Sequence, residues 1–182
     1  MRLVLPVLCV WAGVPAFSQP HRSVDLFGTL GVMRNGGDEG WGDSGAAYGG
    51  AATIPFAARW AVDIQALTSR LSDRPDFTLR RILLSPALQY GRGNDRVLWF
   101  IAFGPGLQRD SRRGTFTAFD STGGSRTVSF DDTQSGLTLH WRTGAVFEPA
   151  RRMLIRGEFF WVNRYVLPNV GVAVSLGVRL GG

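Results

Sequence analysis

Apolar and polar side chains alternate in twos along most of the chain. The clearest run is 169–180: Val170, Val172, Val174, Leu176, Val178 and Leu180 take the even positions, and Asn169, Gly171, Ala173, Ser175, Gly177 and Arg179 the odd ones. Successive side chains of a strand point to opposite faces, so this run predicts a strand with one aliphatic and one small or polar face. A helix would scatter the same valines around its circumference. The pattern recurs in 59–69, where Trp60, Val62 and Ile64 alternate with Ala61, Asp63 and Gln65, and in 97–108, where Val97, Trp99, Ile101, Phe103 and Leu107 share a face. In 137–147, Leu137, Leu139, Trp141 and Phe147 oppose Thr138, His140 and Arg142. In 153–161, Ile155, Phe159 and Trp161 oppose Arg156 and Glu158. In 79–90, Ile82, Leu84, Leu88 and Tyr90 oppose Arg81, Ser85 and Gln89. Segments 23–33 and 46–56 show it more weakly. Eight strands of about ten residues, apolar outward and polar inward, are what a single-chain membrane barrel requires. The expected fold is all-β: an eight-stranded antiparallel up-and-down transmembrane β-barrel.

The intervening segments 34–45, 57–58, 70–78, 91–96, 109–136, 148–152 and 162–168 alternate between long or polar and short. Membrane barrels have long outer loops and short periplasmic turns, so the pattern predicts a periplasmic N-terminus. Segment 109–136, with Arg112-Arg113, Gly123-Gly124 and Asp131-Asp132, reads as a long, mobile surface loop, part of which could extend the fifth and sixth strands. Phe56, Trp60, Tyr90, Trp99 and Phe147 fall near the short-turn ends with outward parity, as an interfacial aromatic girdle would.

The first residues bear on the compartment. Met1-Arg2 is a short basic start, Leu3 to Val14 is apolar, and Ala16-Phe17-Ser18 offers small residues at a cleavage site, the pattern of a secretory signal peptide over 1–18. That leaves residues 19–182 as one barrel domain. The single cysteine, Cys9, lies in the signal, so no disulfide or thiolate site is expected in the mature chain. Location in the bacterial outer membrane follows.

Net charge is +6, and all 20 basic residues are arginine. A basic surface suits nucleic acid or anionic lipid; export and the lack of a recognition motif argue against nucleic acid. The same parity places Asp25, Asp63, Arg81, His140, Arg142, Arg156, Glu158 and Arg179 inside the barrel. An eight-stranded barrel is just wide enough for side chains to fill it, and buried charges must pair. Arg179 with Asp25, and Glu158 with Arg142 or Arg156, are the expected pairs, read as a structural plug. A triad on His140 would need a nucleophile and an orienting acid, for which Ser85, Ser175 and Glu158 are candidates by parity alone, and no G-x-S-x-G, H-E-x-x-H, phosphate or calcium loop occurs. No cofactor or metal is expected.

Ser85-Pro86-Ala87-Leu88-Gln89-Tyr90, Gly104-Pro105-Gly106-Leu107 and the closing Gly171–Leu180 run resemble the small eight-stranded outer-membrane proteins of the OmpA/OmpX-like group. The resemblance implies a monomeric, non-enzymatic barrel in contact with outer-membrane lipid, lipopolysaccharide and the barrel-insertion machinery. Its role would be envelope structure, or surface binding chiefly through 109–136. That group usually ends on an aromatic residue, whereas this chain ends Leu180-Gly181-Gly182. Lipid-modifying members carry a histidine-serine arrangement; His140-Trp141-Arg142 lacks the serine. A lipid-modifying enzyme using His140 is one alternative. A soluble periplasmic lipocalin-like barrel is the other, and it requires the aliphatic face of 170–180 to point inward.

Overall fold

The computed structural model describes residues 23–37, 40–74, 76–94, 96–119, 123–163 and 168–181. The expected signal peptide lies outside them. Eight strands follow in chain order: β1 (Val24–Gly37), β2 (Gly40–Ala57), β3 (Trp60–Arg74), β4 (Phe77–Gly93), β5 (Val97–Phe119), β6 (Ser125–Ala150), β7 (Met153–Asn163) and β8 (Asn169–Leu180). Each pairs antiparallel with its neighbours, and β8 returns to β1 from Val24↔Leu180 to Arg34↔Val170, closing the ring. Closure satisfies every strand edge inside the ring, the condition for backbone to sit in a medium that cannot hydrogen-bond it.

The parity holds around the ring. Val172, Val174, Leu176, Val178 and Leu180 are exposed, as are Trp60, Val62, Ile64, Trp99, Ile101, Phe103 and Leu107. The aliphatic face of β8 therefore points outward, and the lipocalin-like alternative fails on that geometry. Inward positions are buried, and they stack in layers along the barrel axis. On β1 the inward series is Asp25, Phe27, Thr29 and Met33; on β4 it is Gln89, Ala87, Ser85, Leu83 and Arg81. Two apolar clusters result, one built on Phe27, Phe100 and Leu154, the other on Met33, Leu83 and Phe160. Charged and polar layers lie between and beyond them.

The strands run well past the stretches of clear alternation, so most expected loops are strand. Segment 34–45 contributes to β1 and β2, and 70–78 to β3 and β4. Segment 109–136 lengthens β5 and β6, the extension expected of part of it: Arg109↔Ser135 through Phe119↔Ser125 continue the β5–β6 ladder without a break in register. Just above the barrel the apolar–polar alternation lapses, since Arg109 to Arg113 and Asp131 to Ser135 carry no apolar residue, while the pairing goes on. At the other end the turns are tight. Asn94 Oδ1 accepts from the amides of Arg96 and Val97 at 3.0 and 2.8 Å, closing the β4–β5 turn.

Pro86 and Pro105 sit in mid-strand, away from strand ends and bulges. The β4–β5 ladder is interrupted between Leu84↔Leu107 and Leu88↔Phe103 with its register unchanged, which sets the two prolines opposite each other. Two missing donors therefore cost one local gap in the ladder.

Candidate functional site

The structure draws the charged residues of the inward face into three groups. At the end shared by the N-terminus and the 58–59, 94–96 and 151–152 connections, Arg179 holds Asp25 through two hydrogen bonds of 2.8 and 3.1 Å. Its remaining Nη1 reaches Glu148 at 2.6 Å.

The central group contains Asp63, Arg142, Arg156 and Glu158. Arg156 grips both oxygens of Asp63, at 2.9 and 3.2 Å, and its Nη2 lies 2.6 Å from Glu158. Arg142 Nη1 lies 2.6 Å from Asp63 Oδ2, off the hydrogen-bond direction, so this contact is an ion pair. Thr53 and Gln65 complete the set by donating to Asp63 and Glu158 respectively. The Arg156 guanidinium also stacks 4.3 Å from the centre of the Phe100 ring, and so meets both acid and aromatic face. Two arginines and two carboxylates make this layer neutral, and Asp63 and Arg142 are fully enclosed.

Toward the far end, Arg81 forms a fork with Asp110 at 2.8 and 2.9 Å and donates to Asn169 at 2.6 Å. Gln108 donates to the same aspartate at 2.8 Å. Asp110 lies outside the eight residues read from the sequence as lumen charges, and so does Glu148. Asp110 continues the inward parity of Gly104, Gly106 and Gln108. The signal that marks it is parity alone, because no apolar partner follows Leu107 on the outer face.

His140 is buried, and its Nε2 is 2.7 Å from Thr138 Oγ1 on the same strand. Gly106 passes so close to the ring that a Cβ there would collide with it. Ser175, a candidate nucleophile by parity, is engaged with Thr29 at 2.8 Å. No serine–histidine pair is formed by these residues. Among the described residues no cluster of three His, Cys, Asp or Glu could hold a metal.

The aromatic residues singled out from the sequence all lie on the outer face near the short-turn end. Phe56, Trp60, Trp99 and Phe147 are exposed, and Tyr90 is half-buried against Trp60, ring centres 5.1 Å apart and edge-on. At the opposite end the β5–β6 hairpin outreaches its neighbours. β7 stops pairing at Leu139↔Asn163 and β4 at Phe77↔Gly114. At its base lies an open cleft of about 750 Å³ lined by Asp76, Thr78, Arg113, Gly114, Thr115, Ser129, Phe130 and Asp131. Phe116 and Phe130 (centres 6.3 Å apart) and the Arg113–Asp131 ion pair brace it.

Fold, closure and inverted polarity define a class, the small eight-stranded outer-membrane-type β-barrel. Known structures agree with that fold. The chain is similar to Ail, the attachment invasion locus protein of Yersinia pestis (TM-score 0.62, 13% identity, 89% of this chain and 100% of that one). It is similar to Neisserial surface protein A (TM-score 0.63, 12% identity, 87% and 97%). It is also similar to the N-terminal β-barrel domain of Pseudomonas aeruginosa OprF (TM-score 0.60, 12% identity, 89% and 100%). No protein-family model and no curated protein sequence matches the chain.

Proposed function

We propose that this chain is a non-enzymatic integral protein of the outer membrane, a rigid barrel that holds the β5–β6 hairpin outside the cell as a binding surface. The observation that carries the reading is the inversion of polarity. Leu30, Val174 and Leu176 are 71%, 59% and 61% exposed, while Arg81, Arg142 and Arg156 are at most 1% exposed. Such an apolar exterior, continuous around the ring, is costly in water and favourable in lipid. The N-terminus and the three tight turns then lie on the periplasmic side, with Phe56, Trp60, Tyr90, Trp99 and Phe147 as the girdle at that interface. Export by a signal peptide over 1–18 and insertion by the barrel machinery complete the path. Closure leaves no free edge within the belt, which suits a monomer surrounded by lipid and lipopolysaccharide.

The lumen charges serve as a plug. Each group pairs internally, and a paired, enclosed network resists water better than it conducts ions. A catalytic role for His140 would require lipid to reach it, yet the ring faces the lumen and bonds Thr138. Fractionation and electrophoresis test the reading: the unheated protein should sit in the outer-membrane fraction and migrate differently once boiled. Recovery as a soluble periplasmic species would overturn it.

A further inference from the structure

We propose that Arg70, Arg80 and Arg109 form a site for the phosphates of an anionic lipid headgroup, on the outside of β3, β4 and β5 at the outer-leaflet margin of the apolar belt. The inference rests on the membrane reading above and adds a ligand to it.

The three arginines stand on adjacent strands. Arg70 and Arg80 are direct cross-strand partners. Arg80 opposes Ser111 on β5, which makes Arg109 its diagonal neighbour on the same face. All three are exposed, and among the described residues no acidic side chain pairs with any of them. Like charges at directly opposed positions repel. The cluster therefore needs an anion that the described residues do not supply.

Depth identifies that anion. Trp60 to Arg70, Tyr90 to Arg80 and Trp99 to Arg109 are each ten residues of one strand. Ten residues of a strand tilted by about 40° rise about 25 Å, the height of a barrel's apolar band. The outward residues between these ends are apolar but for one threonine: Val62, Ile64, Ala66 and Thr68 on β3, Ile82, Leu84 and Leu88 on β4. With the aromatic ends at one interface, the arginines reach the other, at headgroup level. A lipid whose chains lie on this belt brings its headgroup to the three guanidinium groups. The planar fork of arginine grips phosphate oxygens in pairs. Three cations on one patch suit a headgroup bearing two phosphates. A soluble anion would have the charge but no chains to hold it at that depth.

The experiment uses the full mature chain refolded into phosphatidylcholine vesicles, titrated with diphosphoryl lipid A, with binding read from the rise in unfolding midpoint. The triple variant Arg70→Gln/Arg80→Gln/Arg109→Gln should bind about 100-fold more weakly, given three basic side chains at an anionic lipid surface. Arg151→Gln, exposed in the β6–β7 turn at the opposite end of the barrel, should match the wild type. Should the triple variant fail to fold, Arg80→Gln alone should lose about fivefold. Equal affinity of a folded variant and wild type would overturn the site, and so would displacement of the lipid by inorganic phosphate. Failure of the wild type itself to insert, visible beforehand as an absent heat-shifted band, would instead overturn the membrane reading on which the site depends.

Discussion

Asp63 is the residue on which the central lumen turns. It takes charge from Arg142 on β6 and Arg156 on β7, across the barrel from its own strand. Removing it leaves two enclosed guanidinium groups with Glu158 as their one nearby anion. Asp63→Ala should cost about 3–5 kcal/mol, the usual penalty for breaking a buried pair, read from urea unfolding in vesicles. Asp25→Ala, by contrast, leaves Arg179 half-exposed and still bound to Glu148, and should cost below about 1 kcal/mol. Equal effects would mean that water reaches the central layer. The inward side of these residues was legible because parity in a ten-residue strand leaves one choice. Their partners were less so. Arg179–Asp25 followed from strand closure, but Arg81–Asp110 needed β5 to run beyond Leu107. Asp110→Ala tests that extension: with Arg81 fully buried beside it, the loss should approach that at Asp63, whereas a loop aspartate would be nearly neutral.

The elements divide by their surroundings. Within the belt, one face is apolar and exposed and the other packs into the lumen, so each strand carries a strong period of two. Strand existence, order and facing could be read from that period. Beyond the belt the period fades. On one face of the hairpin Ser111, Arg113, Thr115 and Thr117 on β5 meet Thr133, Asp131, Ser129 and Thr127 on β6, polar on polar, and apolar pairing returns on the other face only at Phe116↔Val128. Such a hairpin looks like a loop in sequence, though it pairs without interruption. Its stability is then a property of the hairpin and not of the barrel. Joining Gly114 to Phe130 through an Asn-Gly turn should leave a folded, heat-modifiable barrel, because these two residues are already cross-strand partners and a two-residue type I′ turn suits that geometry. The unfolding midpoint should hold while binding at the cell surface is lost. A barrel that no longer folds would show that the hairpin nucleates β5–β6 pairing.

At the scale of the whole molecule, the question is which solvent the exterior meets, and depth dependence answers it. Val174 lies near the middle of β8, paired with Leu30 and Gly157, and is 59% exposed; Leu180 lies at the end of the same strand with similar exposure. In water the two positions are equivalent, and an arginine at either would change stability by about 0.5 kcal/mol or less. In a bilayer they differ. At the midplane an arginine costs about 2–4 kcal/mol, and near the interface about 0–1. Val174→Arg should therefore destabilise the vesicle-bound barrel by several times the effect of Leu180→Arg, as read from urea midpoints of the two variants. The contrast should vanish in a detergent that lets the side chain reach water at every depth. An equal response at both positions in vesicles would contradict a lipid-facing β8, and with it the arrangement in which aromatic residues mark one interface and arginines the other.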